Sequence, residues 1–225
     1  MKILIDHADI NEIKRLYDIY PIDGVTCNPT ILKAGGKPPY DVLKEIREFI
    51  GDDAQLHVQV ISSKAEDMVE EAHHIQEVLG KNTYIKIPVI PQGLKAMKIL
   101  SKEGANITGT AIYNQMQGFL AAKAGAHYVA PYVNRIDNMG YDGVKVAKDI
   151  HDVLIKSGLK CDLLAASFKN SQQVLELATY GAGACTIAPD VIDGLIRMDA
   201  VTAAVEAFTK DFETLCGEHK TMNNI

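Results

Sequence analysis

One lysine stands in an otherwise apolar run, Tyr84-Ile85-Lys86-Ile87-Pro88-Val89. Lysine is almost never fully buried without a reason. Removing its head from water favours the neutral amine. A neutral amine attacks a ketone to give an iminium, which draws electrons from a neighbouring carbon–carbon bond. The plainer alternative is a strand-end lysine whose head reaches solvent along a buried stem. Other short apolar runs also end in polar groups: Asp6, Thr26 with Asn28, Gln59, Thr110, Tyr132 with Asn134 and Arg135, Ser167 with Lys169, and Asp190. Asp6 suits general acid/base work or a helix cap, and Thr30 and Ser167 also suit caps. Tyr132 suits a proton donor or a core aromatic with a wet hydroxyl. Arg135 and Lys169 suit a phosphate seat, to which Ser167 would add a hydroxyl, or are two solvated cations.

The remaining chemistry-bearing residues point elsewhere less well. His7, His57, His73, His74, His127, His151 and His219 show no H-x-H or H-E-x-x-H spacing, so no metal site is expected. Cys27, Cys161, Cys185 and Cys216 are widely spaced and read as buried free thiols of a reducing compartment. Cys27 has no histidine partner in view and reads as a filler within Thr26-Cys27-Asn28-Pro29. The formal net charge of −6 argues against a nucleic-acid or membrane-surface partner. One phosphate needs only a few local cations. There is no apolar run long enough to span a membrane, and MKILIDHADI is too short and too acidic for a signal peptide, so a cytoplasmic location is expected.

The elements that must position these groups are legible as a repeat. Eight short β-branched or apolar runs occur at 2–6, 23–27, 55–60, 83–88, 105–110, 127–132, 161–167 and 184–188. Helix-period stretches lie between them, among them Ile10, Ile13 and Leu16 at three-residue spacing, and 64–79, 142–157 and 200–215. Alternating strands and helices predict parallel strands with right-handed crossovers. Eight units predict an α/β fold of the (β/α)8 TIM-barrel kind, with 225 residues forming a single domain that ends in a C-terminal helix. An open doubly wound sheet would want a Gly-rich turn after the first strand, where the chain reads Asp6-His7-Ala8-Asp9. In a barrel the active site forms at the C-terminal strand ends, which is where all these polar groups fall. The loops after late strands, near a helix N-terminus, are the expected phosphate seat.

The segments GVTCNPTIL (24–32), HVQV (57–60), YIKIPV (84–89), GTAIYNQMQG (109–118), YVAPYVNRID (128–137) and LLAASFKN (163–170) resemble the small transaldolase family, most closely its fructose-6-phosphate aldolase branch. The resemblance runs in order along nearly the whole chain. It implies a class I aldolase that needs no cofactor beyond a covalent Schiff base on Lys86. It implies that Asp6 assists proton transfer, that Thr26 and Asn28 hold substrate hydroxyls, and that Thr110 positions a water. Arg135 and Ser167 would meet the phosphate, with Lys169 close by. Transaldolases proper usually carry glutamate and phenylalanine where this chain has Gln59 and Tyr132. The aldolase branch carries glutamine and tyrosine. Thr108 departs from an asparagine of the larger transaldolases, and the small branches vary there.

The expected reaction is reversible cleavage of fructose 6-phosphate to dihydroxyacetone and glyceraldehyde 3-phosphate. Three rivals stay open: transfer of a dihydroxyacetone unit to erythrose 4-phosphate, a related transfer on another keto-sugar, and a silent sugar-phosphate-binding barrel. The partner is thus a phosphorylated keto-sugar. The resemblance also implies a ring-shaped homo-oligomer, commonly a decamer of two pentamers.

Overall fold

The computed structural model describes residues 1–225. The first half runs β1 (Lys2–Asp6), α1 (Ile10–Ile19), β2 (Gly24–Thr26), α2 (Pro29–Gly35), α3 (Pro39–Ile50), β3 (Gln55–Gln59), α4 (Ala65–Leu79), β4 (Tyr84–Pro88) and α5 (Pro91–Lys102). The second half runs β5 (Ile107–Ile112), α6 (Gln115–Lys123), β6 (Tyr128–Pro131), α7 (Val133–Asp137), α8 (Gly143–Lys156), β7 (Asp162–Ala165), α9 (Ser171–Tyr180), β8 (Ala184–Ile187), α10 (Pro189–Gly194) and α11 (Asp199–Cys216). The eight strands pair in parallel, each with the next, and β8 closes on β1. The expected (β/α)8 barrel is therefore present.

The pattern that predicted the elements is also what buries them. Ile10, Ile13 and Leu16 form the covered stripe of α1, and Asp9 caps it by accepting from the Asn11 N–H at 2.8 Å. Ala65, Met68, Ala72, Ile75 and Leu79 do the same for α4. The strands are nearly continuous apolar runs because both their faces are covered. Inside the barrel, Leu4, Tyr128, Leu164 and Ala184 pack together, with Tyr84 against them. Helix α5 lies hard against the end of β4. A Cβ at Gly93 would stand 2.0 Å from the Pro88 carbonyl oxygen, so only glycine allows this approach.

Several local expectations need correction. Asp6 is not a cap, because Asp9 caps α1. Thr30 is not a cap either: the Asn28 side chain caps α2, accepting from the N–H groups of Thr30 and Ile31 at 3.0 and 3.1 Å. Asn170, not Ser167, caps α9. Strand β6 is bounded at Pro131, yet Tyr132 still pairs in parallel with Ala166 and donates its N–H to the Ile112 carbonyl at 3.1 Å before α7 begins. Strand β5 continues past Thr110 to Ile112 through a bulge. Gly109 pairs with Val129 and Ile112 with Pro131, so β5 holds one residue more than β6 between these pairs. Ala111, inside that step, has φ 57°, a left-handed conformation rare for alanine.

The chain divides into two compact units, Met1–Ile192 and Asp193–Ile225. The second contains α11, whose Val201, Val205 and Phe208 form an exposed apolar stripe at helical spacing. No helix is long and apolar enough to cross a membrane.

Candidate active site

Lys86 is only 4% exposed, in the middle of β4 with apolar neighbours on either side in sequence. Its Nζ donates to the Cys27 carbonyl at 3.1 Å, the one hydrogen bond it makes. No carboxylate pairs with it. Strand register puts Gln59 of β3 on one side of Lys86 and Thr108 of β5 on the other. Pro88, two residues further along β4, is level with Thr110. The lysine thus sits one step below the rim, and Thr110 stands at the rim.

Three groupings surround it. Asp6 and Thr26 are level on β1 and β2, and the Thr26 hydroxyl lies 2.9 Å from Asp6 Oδ1 and 2.7 Å from Thr186 Oγ1. The Asp6 carboxylate therefore accepts from a fully buried threonine while staying partly exposed itself. On the opposite side, the Thr110 and Tyr132 hydroxyls are 3.0 Å apart. Beyond them, the Arg135 guanidinium lies over the Tyr132 ring, 4.6 Å from its centroid. Arg135 Nη1 also donates to the Tyr113 hydroxyl at 3.4 Å, and Tyr113 meets the Tyr132 ring edge-on at 5.7 Å. The Tyr113 hydrogen bond is the main cause holding the Arg135 proton more firmly than usual, and the more distant charge of Asp6 adds to it.

The loop after β7 completes the rim. The Val133 and Asn134 N–H groups donate to the Ala166 and Ser167 carbonyls at 2.9 and 2.7 Å. This ties Ser167 to the segment bearing Arg135. It also uses the first N–H groups of α7. The Ser167 hydroxyl has no protein partner, and its backbone is left-handed at φ 61°. Lys169 is exposed, and its own N–H is bound by Gln173 Oε1 at 2.7 Å. Ala111 and Ser167, the two non-glycine residues with positive φ in the barrel unit, both border this mouth.

Asn28 spends its side-chain oxygen on the α2 cap and keeps its amide N–H groups for other partners. The Gln59 side chain makes no hydrogen bond within the protein, although its backbone pairs with β4. It also lines a cavity of about 730 Å³ between β3, α2, α3 and α4, with Pro29, Leu32, Tyr40 and Ile61 among its walls. Lys86, Asp6 and Tyr132 do not line that space, so it flanks the mouth. Burial pushes the Cys27 thiol up to about 12 despite the nearby Lys86, and its Sγ donates to the His7 carbonyl at 3.3 Å. That agrees with a filler role. No group of three or more His, Cys, Asp or Glu side chains is arranged to hold a metal.

Sequence reasoning missed two features. Tyr113, which follows the β5 bulge, joins the Tyr132–Arg135 stack, and no residue of that run announces the bulge. His57, the fully buried histidine of β3, is bound at both ring nitrogens, by Thr108 Oγ1 at 2.9 Å and Gln55 Oε1 at 3.3 Å, and stacks on Tyr84. A Gln-x-His pattern on an inward strand face was the available signal.

A closed barrel whose polar side chains converge at the C-terminal strand ends is the architecture of a (β/α)8 enzyme. The chain belongs to the transaldolase/fructose-6-phosphate aldolase family, whose model matches residues 3–224. It is 41% identical over 213 residues to a probable fructose-6-phosphate aldolase of Streptococcus pneumoniae, covering 94% of this chain and 96% of that one.

Proposed function

We propose that this protein is a class I aldolase that cleaves fructose 6-phosphate reversibly to dihydroxyacetone and glyceraldehyde 3-phosphate. The observation that carries the reading is Lys86: buried, bound only by a neutral carbonyl, level with Gln59 and Thr108 on the neighbouring strands, and one step below the Thr110–Tyr132 hydroxyl pair at the rim. In this reading the amine adds to the C2 ketone and water leaves, giving an iminium. Tyr132, working through a water held with Gln59 and Thr110, removes the C4 hydroxyl proton, and Asp6 assists. The C3–C4 bond breaks, its electrons pass to the iminium, and glyceraldehyde 3-phosphate departs. The resulting enamine is protonated, and water releases dihydroxyacetone and the free lysine. Thr26 and Asn28 hold the three-carbon end, and Arg135 with Ser167 holds the phosphate. The exposed Lys169, two residues after Ser167, adds a positive charge for the anion. No metal or organic cofactor takes part.

The relative's name supports the aldolase branch, and the family description spans both aldolase and transaldolase. Gln59 and Tyr132 favour the aldolase, since hydroxyl and amide groups around a water would speed enamine protonation. We place the enzyme in the cytoplasm, acting on a small phosphorylated keto-sugar rather than on nucleic acid or membrane. We propose a homo-oligomer, a decamer by family resemblance, and the exposed stripe on α11 supplies apolar surface for assembly. Light scattering tests the assembly, and a monomer would overturn it. Glyceraldehyde 3-phosphate release tests the reaction. Release from fructose 6-phosphate alone is the expected result. Release only after erythrose 4-phosphate is added would make the enzyme a transaldolase.

A further inference from the structure

We infer that Tyr113 is a positioning residue that holds the Arg135 guanidinium ready for the substrate phosphate. The inference rests on the aldolase reading and deepens its account of phosphate recognition.

Thr108 and Thr110 both bond to inward-facing partners, His57 and Tyr132, so they lie on the inner face of β5. Strict alternation would put Ile112 on that face next and turn Tyr113 toward the helices. The extra residue at Ala111 shifts the phase by one. Ile112 is then fully buried, and Tyr113 reaches the mouth, where it meets Tyr132 and Arg135. A left-handed backbone is strained for alanine, so this placement is retained against strain.

Tyr113 is itself held. Its N–H donates to Gln117 Oε1 at 2.8 Å, and the same oxygen accepts from the Asn114 N–H at 3.2 Å, within the capping box of α6. The Tyr113 hydroxyl is thus presented from a fixed backbone. Arg135 is an exposed, long side chain with many rotamers. Two contacts confine it, the Tyr132 ring beneath and the Tyr113 hydroxyl beside. These engage one N–H of five and leave the rest for an anion. A guanidinium already confined loses less side-chain entropy on binding phosphate.

The test is Tyr113→Phe, which keeps the ring on Tyr132 and removes the hydroxyl. We expect KM for fructose 6-phosphate to rise roughly two- to tenfold, the range of one modest hydrogen bond, with much less effect on kcat. Aldol addition of dihydroxyacetone to glyceraldehyde, which has no phosphate, should change far less. Inorganic phosphate, titrated by calorimetry, should bind the variant more weakly by a similar factor, and Arg135→Ala should abolish its binding. Unchanged KM together with unchanged phosphate affinity would overturn the inference. So would a loss shared equally by the phosphate-free reaction, because that marks a general structural role. Failure of the parent enzyme to cleave fructose 6-phosphate would instead sink the aldolase reading, and the phosphate titration would still decide the part played by Tyr113.

Discussion

The lower and upper halves of the barrel interior are both lined with polar groups, and they differ in how those groups are partnered. In the lower half, donors and acceptors are matched. The Gln55 amide nitrogen faces the Tyr128 and Tyr84 hydroxyls at 3.2 and 3.5 Å, so its oxygen accepts from His57 Nε2. His57 Nδ1 is then left to accept from the Thr108 hydroxyl. Leu4, Leu164 and Ala184 fill the remaining space. In the upper half, Lys86 has one protein partner, the Gln59 side chain and the Ser167 hydroxyl have none, and Arg135 keeps free donors. Unsatisfied polar groups and strained backbone are costly in a folded core. Outside the barrel interior, the Tyr17 hydroxyl on α1 and Arg47 Nε on α3 are also buried without partners; within it, the unpartnered groups and the strained Ala111 and Ser167 lie at the mouth, which is what a surface built to receive a polar ligand requires.

Lys86 is the group on which the upper half depends most. Lys86→Ala should drop turnover to background and abolish any borohydride-trapped adduct with dihydroxyacetone, read by mass spectrometry. A trapped adduct surviving in that variant would show that another amine does the chemistry. Next in size is Tyr132→Phe. It keeps the ring beneath Arg135 but removes the hydroxyl beside Thr110, and kcat should fall roughly 10²- to 10³-fold if that hydroxyl carries the proton. The adduct should still form. A kcat within a few-fold of the parent would assign proton transfer elsewhere, with Asp6 the nearest candidate.

The lower half makes the opposite prediction, a loss of stability ahead of a loss of chemistry. His57→Leu leaves Thr108 and the Gln55 oxygen unpaired in the core, and should cost about 2–4 kcal/mol in urea unfolding. Burial first, and then the charges of Lys86, Lys2 and Arg47, hold the His57 imidazole well below its ordinary 6.5. In the folded state the ring stays neutral, whereas the unfolded chain takes up a proton below about pH 6.5. Stability from this group is therefore complete above that pH and falls as pH drops through it, by up to about 1.4 kcal/mol per pH unit. The variant should show a shallower acid slope between pH 6.5 and 5. Identical slopes would mean that His57 does not set the acid limit.

Much of this division was visible in the chain. The barrel followed from eight apolar runs at helix-separated intervals, because parallel strands buried on both faces must be continuously apolar. Lys86 stood out for the same reason: a charge-bearing group interrupts such a run only at a cost. The missed features were those that depend on neighbours distant in sequence. Nothing in Gly109-Thr110-Ala111-Ile112 signals a bulge, since the extra residue is defined by its register against β6. The caps went wrong at Asp6, Thr30 and Ser167 because many polar residues near a helix start can cap it, and local geometry selects among them. His57 looked idle because its partners, Gln55 and Thr108, include one on a strand two positions away.

The smallest expected effect tests whether the backbone strain belongs to the mouth. Ala111→Gly removes the steric penalty of the left-handed conformation, about 1–2 kcal/mol, while a glycine adds about 0.5–1 kcal/mol of chain entropy to the unfolded state. The net expectation is a stabilisation between zero and about 1.5 kcal/mol, read as a higher urea midpoint at unchanged slope. Because the bulge is kept, Thr110 and Tyr113 stay where they are, and kcat/KM should hold within about twofold. A lower midpoint would show that Ala111 is not strained as its φ of 57° implies. A higher midpoint with a marked fall in kcat/KM would be more informative. It would mean that the rigidity of alanine at this step, beyond the phase it sets, fixes the Thr110–Tyr132 pair.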